Sequence, residues 1–112
     1  MPELDDSEAL VVLRGCLLDS CFGRLINEID VILFDYKPRE KKVIVKTYIS
    51  QSNEDILGTV QDIVEAFDVF VCYWNIVAYS EVVVDFNGLI EIPRGVNTVI
   101  LKKGVDFVFM AH

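Results

Sequence analysis

Residues 30–49, DVILFDYKPREKKVIVKTYI, consist of two apolar runs joined by a polar connector, and this pair sets the arrangement of the chain. Asp30 to Tyr36 and Val43 to Ile49 are rich in β-branched and aromatic residues, which favour strands. The connector between them is charged and contains Pro38, as is typical of a loop, so the segment predicts a β-hairpin. Alternation along the second strand places Val43, Val45, Thr47 and Ile49 on one face. Lys42, Ile44, Lys46 and Tyr48 share the other face, which is expected to be partly exposed to solvent.

Amphipathic helices are predicted on both sides of this hairpin. The first runs from about Asp6 to Phe22, and Gly23 can end it in the left-handed conformation. Its apolar stripe consists of Leu10, Leu13, Leu17 and Cys21, with Val11, Arg14 and Leu18 in the neighbouring rows. The second begins near Asn53, where Ser52 or Asn53 can cap the helix before the acids Glu54 and Asp55. Its apolar stripe consists of Ile56, Val60, Ile63, Val64, Phe67, Val71, Trp74 and Ala78.

The end of the second helix is open to two interpretations. The helical spacing of the apolar residues favours a helix that continues to about Tyr79. The composition of Phe70 to Tyr79 is that of a strand, so the alternative is a helix that stops near Asp68 and a buried strand from Val69 to Tyr79.

A second hairpin is predicted around Asn87-Gly88, a dipeptide typical of tight turns. A three-residue loop would pair Asp85 with Leu89 and Val83 with Glu91, and would collect Glu81, Asp85 and Glu91 on the outer face. Strands at Val96 to Leu101 and Val105 to Phe109 complete the chain. The sequence therefore predicts a single α+β domain over residues 1–112, with two helices packed on a mainly antiparallel, twisted sheet of about six strands in the order αββαββββ.

The composition limits where the protein works and what it binds. Eighteen acids and ten bases give a net charge of −8, which disfavours nucleic acids and anionic membranes and suits a basic partner. The longest uncharged stretch, residues 69–80, is too short to span a bilayer. The acidic first residues do not form a secretory signal, so a cytoplasmic location is expected. A hydrophobic fraction of 53% also favours self-association into a homo-oligomer.

The acids are concentrated in one part of the chain. Residues 51–93 hold eight acids and no base. If the outer face of the second hairpin lies beside the second helix, these carboxylates form one negative surface able to attract a basic protein. The predicted partner-binding residues are Asp62, Glu65, Asp68, Glu81, Asp85 and Glu91, with Tyr79 as an aromatic contact. The alternative is a solvated acidic face that keeps an apolar protein soluble.

The bases are concentrated in the first hairpin. Residues 37–50 hold five bases and one acid, and the bases are Lys37, Arg39, Lys41, Lys42 and Lys46. Their alternation with Tyr36 and Tyr48 is the composition of a nucleic-acid surface, so this secondary basic patch is a candidate site. The alternative, which the net charge favours, is a hairpin whose lysines prevent aggregation.

Residues for catalysis or metal binding are sparse. The single histidine is His112, which leaves no His-based triad. Cys16, Cys21 and Cys72 lack the spacing of a zinc site and are expected to be buried, reduced thiols. No calcium-binding loop or phosphate-binding glycine motif is present. The sequence therefore predicts a protein that is not an enzyme and has no metal and no cofactor.

In its size, acidity, lack of a catalytic set, carboxylate-lined helix and exposed hairpin, the chain resembles the bacterial immunity proteins of toxin systems, including those of contact-dependent growth inhibition. The resemblance implies a protein that binds the C-terminal domain of a toxin, often a basic nuclease, and blocks its active site with a negative surface. The expected function is therefore non-enzymatic neutralisation of a basic partner, a toxin nuclease. Two alternatives stay open: a small-molecule-binding or enzymatic domain with a pocket between helix and sheet, and nucleic-acid binding through residues 37–48.

Overall fold

The computed structural model describes residues 6–24, 28–49, 51–84, 89–92, 96–101 and 106–109. The helices are α1 (Asp6–Cys21) and α2 (Glu54–Val71). The strands are β1 (Ile29–Lys37), β2 (Lys42–Ile49), β3 (Val77–Val84), β4 (Leu89–Ile92), β5 (Val96–Leu101) and β6 (Asp106–Phe109). Short 3-10 turns occupy Pro38–Glu40 and Cys72–Trp74. The predicted α+β class with two helices is confirmed.

The described strands do not form one sheet. Four of them form a sheet in the order β3-β2-β1-β5, while β4 and β6 pair with each other. In the larger sheet β1 is antiparallel to both β2 and β5, whereas β2 and β3 are parallel and are connected through α2. The smaller pair is also parallel. The prediction of a single, mainly antiparallel sheet of about six strands is therefore not confirmed.

The first hairpin forms as predicted. Tyr36 pairs with Val43 and Lys37 with Lys42, around the 3-10 turn. Along β2 buried and half-buried residues alternate strictly, which confirms both predicted faces. We call the face that carries Val43 and Val45 the helical face, because α1 and α2 pack there, and the opposite face, which carries Ile44 and Lys46, the far face.

The core fills the space between the helices and the helical face. Its largest members are Leu13 and Leu17 from α1, Ile63 and Phe67 from α2, and Phe34 from β1, all of them fully or almost fully buried. These residues form one buried cluster in which side chains from both layers contact each other.

The buried stripe of α1 is narrower than predicted. Val11 is 74% exposed and Leu18 is also exposed, although the spacing placed both beside the core. The helix instead buries the small residues Ala9 and Ser20 together with Leu13 and Leu17. Ala9 and Ser20 therefore belong to the buried face of α1 together with Leu13 and Leu17.

The longer version of α2 is wrong. Asn53 caps the helix as predicted, and its Oδ1 accepts a hydrogen bond of 2.9 Å from the Ile56 N–H. The helix ends at Val71, and after the 3-10 turn Asn75 takes the left-handed conformation with φ 60°. Asparagine tolerates this conformation, and it turns the chain so that β3 can begin at Val77. The alternative of a shorter helix followed by a strand was closer, although the strand begins eight residues later than Val69 and is mostly exposed.

The second predicted hairpin is not found among the described residues. Val83 pairs with Tyr48 in the parallel β2–β3 ladder, and Glu91 pairs with Val108 of β6. The described strands place β3 and β4 in different sheets, so the predicted pairing of Val83 with Glu91 is not confirmed. The turn residues Asn87 and Gly88 lie outside the described residues, as does Asp85.

Candidate protein-binding surface

The predicted partner-binding acids do not share one face of the sheet. In the parallel β2–β3 ladder Tyr79 is level with Ile44, and Glu81 is level with Lys46. Residues level with each other on neighbouring strands share a face, so Tyr79 and Glu81 lie on the far face. Asp62 and Glu65 are exposed on α2, which packs on the helical face. The two sets of side chains are therefore on opposite sides of the molecule.

Glu81 is also neutralised within the sheet. Its Oε2 lies 3.9 Å from Nζ of Lys46, and both side chains are at least partly exposed. Burial, followed by the Glu81 carboxylate, raises the pKa of Tyr48, which lies on the same face of β2 as Lys46. Tyr79, which is 53% exposed, lies next to this ion pair on a surface of mixed charge.

Asp68 has a structural role instead of a surface one. Its side chain is half buried, and Oδ1 accepts a hydrogen bond of 2.9 Å from the Ala78 backbone N–H. The carboxylate thereby joins the end of α2 to the start of β3. An acceptor already used in this way is a poor contact for a partner.

The remaining predicted acids are not placed beside α2. Asp85 lies outside the described residues, and Glu91 belongs to β4, whose strand partner is β6. The described residues therefore do not form the single carboxylate surface that the sequence predicted. Among the described residues of the six predicted acids, Asp62 and Glu65 are the two that are exposed on one helix and form no ion pair with a base.

The helices themselves carry a different acidic surface. We call it the acidic helical surface, and its exposed acids are Glu8, Asp19, Glu54, Asp55, Asp62 and Glu65. Arg14 is the only base in the sequences of α1 and α2. Among the described side chains, the ion pairs join residues of the first hairpin and β3, and none includes an acid of either helix. Within the described part of the chain, no ion pair therefore neutralises the carboxylates of this surface.

Apolar side chains lie among these acids. Phe22, directly after α1, is 86% exposed, and Leu57 and Val69 of α2 are exposed on either side of Asp62 and Glu65 along the helix. Exposed apolar side chains that accompany charges are the composition of a protein interface, in which the apolar groups supply most of the affinity. Val11 and Leu18 of α1 are also exposed, although the sequence placed them in the rows beside its buried stripe.

The secondary basic patch is largely neutralised by its own surroundings. Nζ of Lys37 lies 3.0 Å from Oδ2 of Asp35, and Nζ of Lys42 lies 3.9 Å from Oε1 of Glu40. Lys46 pairs with Glu81 of β3. Arg39 and Lys41 are exposed at the turn between the strands. A patch in which three of five cations already face a carboxylate is poorly suited to bind phosphates.

The three cysteines occupy different environments. Cys21 is buried in the core, and burial raises the pKa of its thiol to about 11, although nearby Arg24 acts in the opposite direction. Burial and then Asp19 also raise the pKa of Cys16. Cys72 is exposed, contrary to the expectation of three buried thiols, and its Sγ lies 3.0 Å from the Val69 carbonyl oxygen.

We expect thiol alkylation to distinguish these cysteines. At pH 8 iodoacetamide should modify Cys72 within minutes and leave Cys21 intact, because a pKa near 11 leaves only about one thiolate in a thousand. The unfolded thiol ionises near 9.0, so the contribution of Cys21 to stability should fall as the pH rises from about 9 towards 11. Peptide mass mapping measures the sites, with Cys72→Ser as the control. Equal modification of both thiols in the folded protein would contradict the buried position of Cys21.

Neither metal nor membrane binding gains support from the described part of the chain. No group of three or more metal-ligating side chains comes together there. None of the helices described combines the length and the apolar character that crossing a bilayer requires. No protein-family model matches the sequence, and no curated protein matches it either. The geometry and chemistry of the surface are therefore the basis for inferring its function.

Proposed function

We propose that this chain is a non-enzymatic binding protein that inhibits a basic protein through the acidic helical surface. The observation that carries the proposal is the set of exposed helical carboxylates with no described ion pair, next to exposed apolar side chains. A surface whose only role was to keep the protein soluble would not be expected to expose Phe22 and Val69, because exposed apolar side chains lower solubility.

Two glycines add support to an interface at this surface. Gly15 and Gly58 are exposed within α1 and α2, and a Cβ atom built on either would meet no atom within 4 Å. The fold therefore does not require glycine at these positions, although each costs the helix about 1 kcal/mol relative to alanine. A residue without a side chain permits a partner to approach the helix backbone closely.

The resemblance to toxin immunity proteins gives the partner a chemical class. A nuclease binds the phosphates of its substrate with basic side chains, and carboxylates on a rigid helix can occupy the same positions. The carboxylates would accelerate the encounter and fix the orientation of the complex, while the apolar contacts would slow its dissociation. A toxin nuclease domain, acting in the cytoplasm, is the partner that we propose.

The direct test is inhibition of the toxin domain encoded immediately before this chain in its genome. We expect the purified domain to be basic, to form a one-to-one complex with the chain in size-exclusion chromatography, and to lose its nuclease activity in that complex. Polylysine provides the control for non-specific attraction to an acidic protein. An upstream gene without a toxin domain, or a domain that stays active at saturating concentrations of the chain, would contradict the proposal.

The acidic helical surface can be tested by charge removal. Asp62→Asn combined with Glu65→Gln should slow association with the basic domain about tenfold at low salt and reduce the salt dependence of the rate, because attraction between unlike charges steers the encounter. Asp68 is left unchanged, since its carboxylate binds the Ala78 N–H. Stopped-flow measurements of the association rate over a salt series provide the readout.

A matched control removes the same charge from the other side of the molecule. Glu40→Gln combined with Glu81→Gln also raises the net charge by two, but both residues belong to ion pairs of the hairpin and β3. This variant should associate with the partner at nearly the rate of the wild type. If the two double variants slowed association equally, the overall charge and not the helical surface would be responsible.

A further inference from the structure

We propose that the outer edge of β3 pairs with the same edge of a second copy of this chain, antiparallel across a two-fold axis at Val82. In the four-stranded sheet β3 is an edge strand, with β2 as its one neighbour among the described strands. Edge strands of soluble proteins are commonly protected by lysine, proline, a bulge or a short length. β3 is eight residues long, contains neither lysine nor proline, and is largely exposed.

The direction of the backbone groups along β3 is known from two hydrogen bonds. The Val77 N–H donates to the Lys41 carbonyl at 3.0 Å, so it points towards β2. The next N–H, that of Ala78, donates instead to Asp68, which is not in the sheet. Because these directions alternate along a strand, the N–H and C=O groups of Ser80, Val82 and Val84 point outward. The structure describes no partner for them.

The register follows from which outward groups are available. A two-fold axis at Val82 would place Val82 opposite its counterpart and Ser80 opposite Val84, so each of these pairs could exchange both backbone hydrogen bonds. An axis at Ser80 would require the Ala78 N–H, which Asp68 already occupies. An axis at Glu81 would place two carboxylates opposite each other, which is destabilising. The chosen register avoids both problems.

Each chain carries a net charge of −8, but the distribution of that charge permits two copies to meet at this edge. Glu81 is the one ionisable acid or base of β3, and it already pairs with Lys46 of its own chain. The acidic helical surface, in contrast, belongs to the helices on the other side of the sheet from Glu81. Added salt should therefore strengthen this association by screening the overall repulsion, whereas it should weaken binding to a basic partner.

Sedimentation velocity over a concentration and salt series tests the dimer. We expect the wild type to shift from the monomer towards twice its mass as protein or salt concentration rises. Ser80→Pro should weaken dimerisation about 30-fold, because it removes a donor from each of two symmetry-related pairs, each bond contributing several-fold to the affinity. In the monomer that N–H is not used, and proline is tolerated on edge strands. Ser80→Ala keeps the donor and should dimerise like the wild type.

Amide hydrogen exchange of the wild type tests the site without a mutation. The Ser80, Val82 and Val84 amides should become protected as the protein concentration rises, while the Ala78 amide should be protected at every concentration because of Asp68. A chain that stays monomeric at millimolar concentration in high salt would overturn the proposal. A dimer in which these three amides exchange as fast as in the monomer, or in which Ser80→Pro dimerises normally, would overturn it as well.

Discussion

Replacement of Phe67 by alanine should cost this protein about 3–5 kcal/mol of its free energy of unfolding. The Phe67 side chain has no exposed surface and lies in the core between α2 and the helical face. Truncation loses the transfer energy of the ring and leaves a cavity that the surrounding side chains fill only in part. A domain of this size has a total stability of roughly 5–15 kcal/mol, so the variant should lose a large share of its stability, and all of it where the total is near the lower end of that range.

Urea unfolding followed by circular dichroism measures this loss, and α2 provides the control. Phe70 is three residues further along the same helix and is 44% exposed. Phe70→Ala makes the same chemical change without creating a closed cavity, so its cost should stay below about 1 kcal/mol. Similar losses for the two variants would mean that α2 does not pack on the sheet through the face described.

The elements that local sequence determines were predicted well. Alternation along β2 depends on neighbouring residues, and the burial of Val43, Val45, Thr47 and Ile49 follows it. The Asn53 cap and the left-handed Gly23, with φ 75°, also depend on residues within one helical turn. Such features need no knowledge of the rest of the molecule, which explains why the sequence alone was sufficient.

The end of α2 was harder because two local preferences disagree. Helical spacing continues through Trp74 and Ala78, while the β-branched residues from Ile76 onward favour a strand. The tertiary structure decides between them: β3 gains a ladder with β2, and Asn75 makes the turn that allows it. A single asparagine in a long apolar run was the available signal, since it is the residue other than glycine that most readily takes positive φ.

The single carboxylate surface does not form among the described residues, because the pairing of β3 is decided by a strand that is distant in sequence. Asn87-Gly88 favoured a hairpin that would have placed Glu81 on the same face as Glu91. The parallel pairing of β3 with β2 instead sets Glu81 level with Lys46, on the side away from α2. Segregation of charge along the chain therefore did not translate into one surface in space. The acids of α2 remain candidate partner-binding residues, because a helix places its own residues three and four apart next to each other.

Loss of the Asp68 carboxylate should remove a hydrogen bond to a charged group, which contributes about 1.5–3 kcal/mol, and should destabilise the protein by about 1 kcal/mol net. In Asp68→Ala the Ala78 N–H loses its acceptor, and α2 loses its direct polar link to β3. Two smaller effects oppose this loss. Alanine is the better helix former, and removal of a negative charge near the C-terminal end of a helix is favourable by about 0.3–1 kcal/mol.

Comparison with two other variants isolates the hydrogen bond. Asp62→Ala makes the same substitution at an exposed position of the same helix, so it includes the gain in helix propensity. We expect its free energy of unfolding to be within about 0.5 kcal/mol of that of the wild type. Asp68→Asn keeps an oxygen acceptor and should retain about half of the bond's contribution. Urea unfolding gives the stabilities, and the exchange rate of the Ala78 amide reports the bond itself. If that amide stayed protected in Asp68→Ala, the carboxylate would not be its acceptor, and the start of β3 would be held in place by the β2 ladder alone.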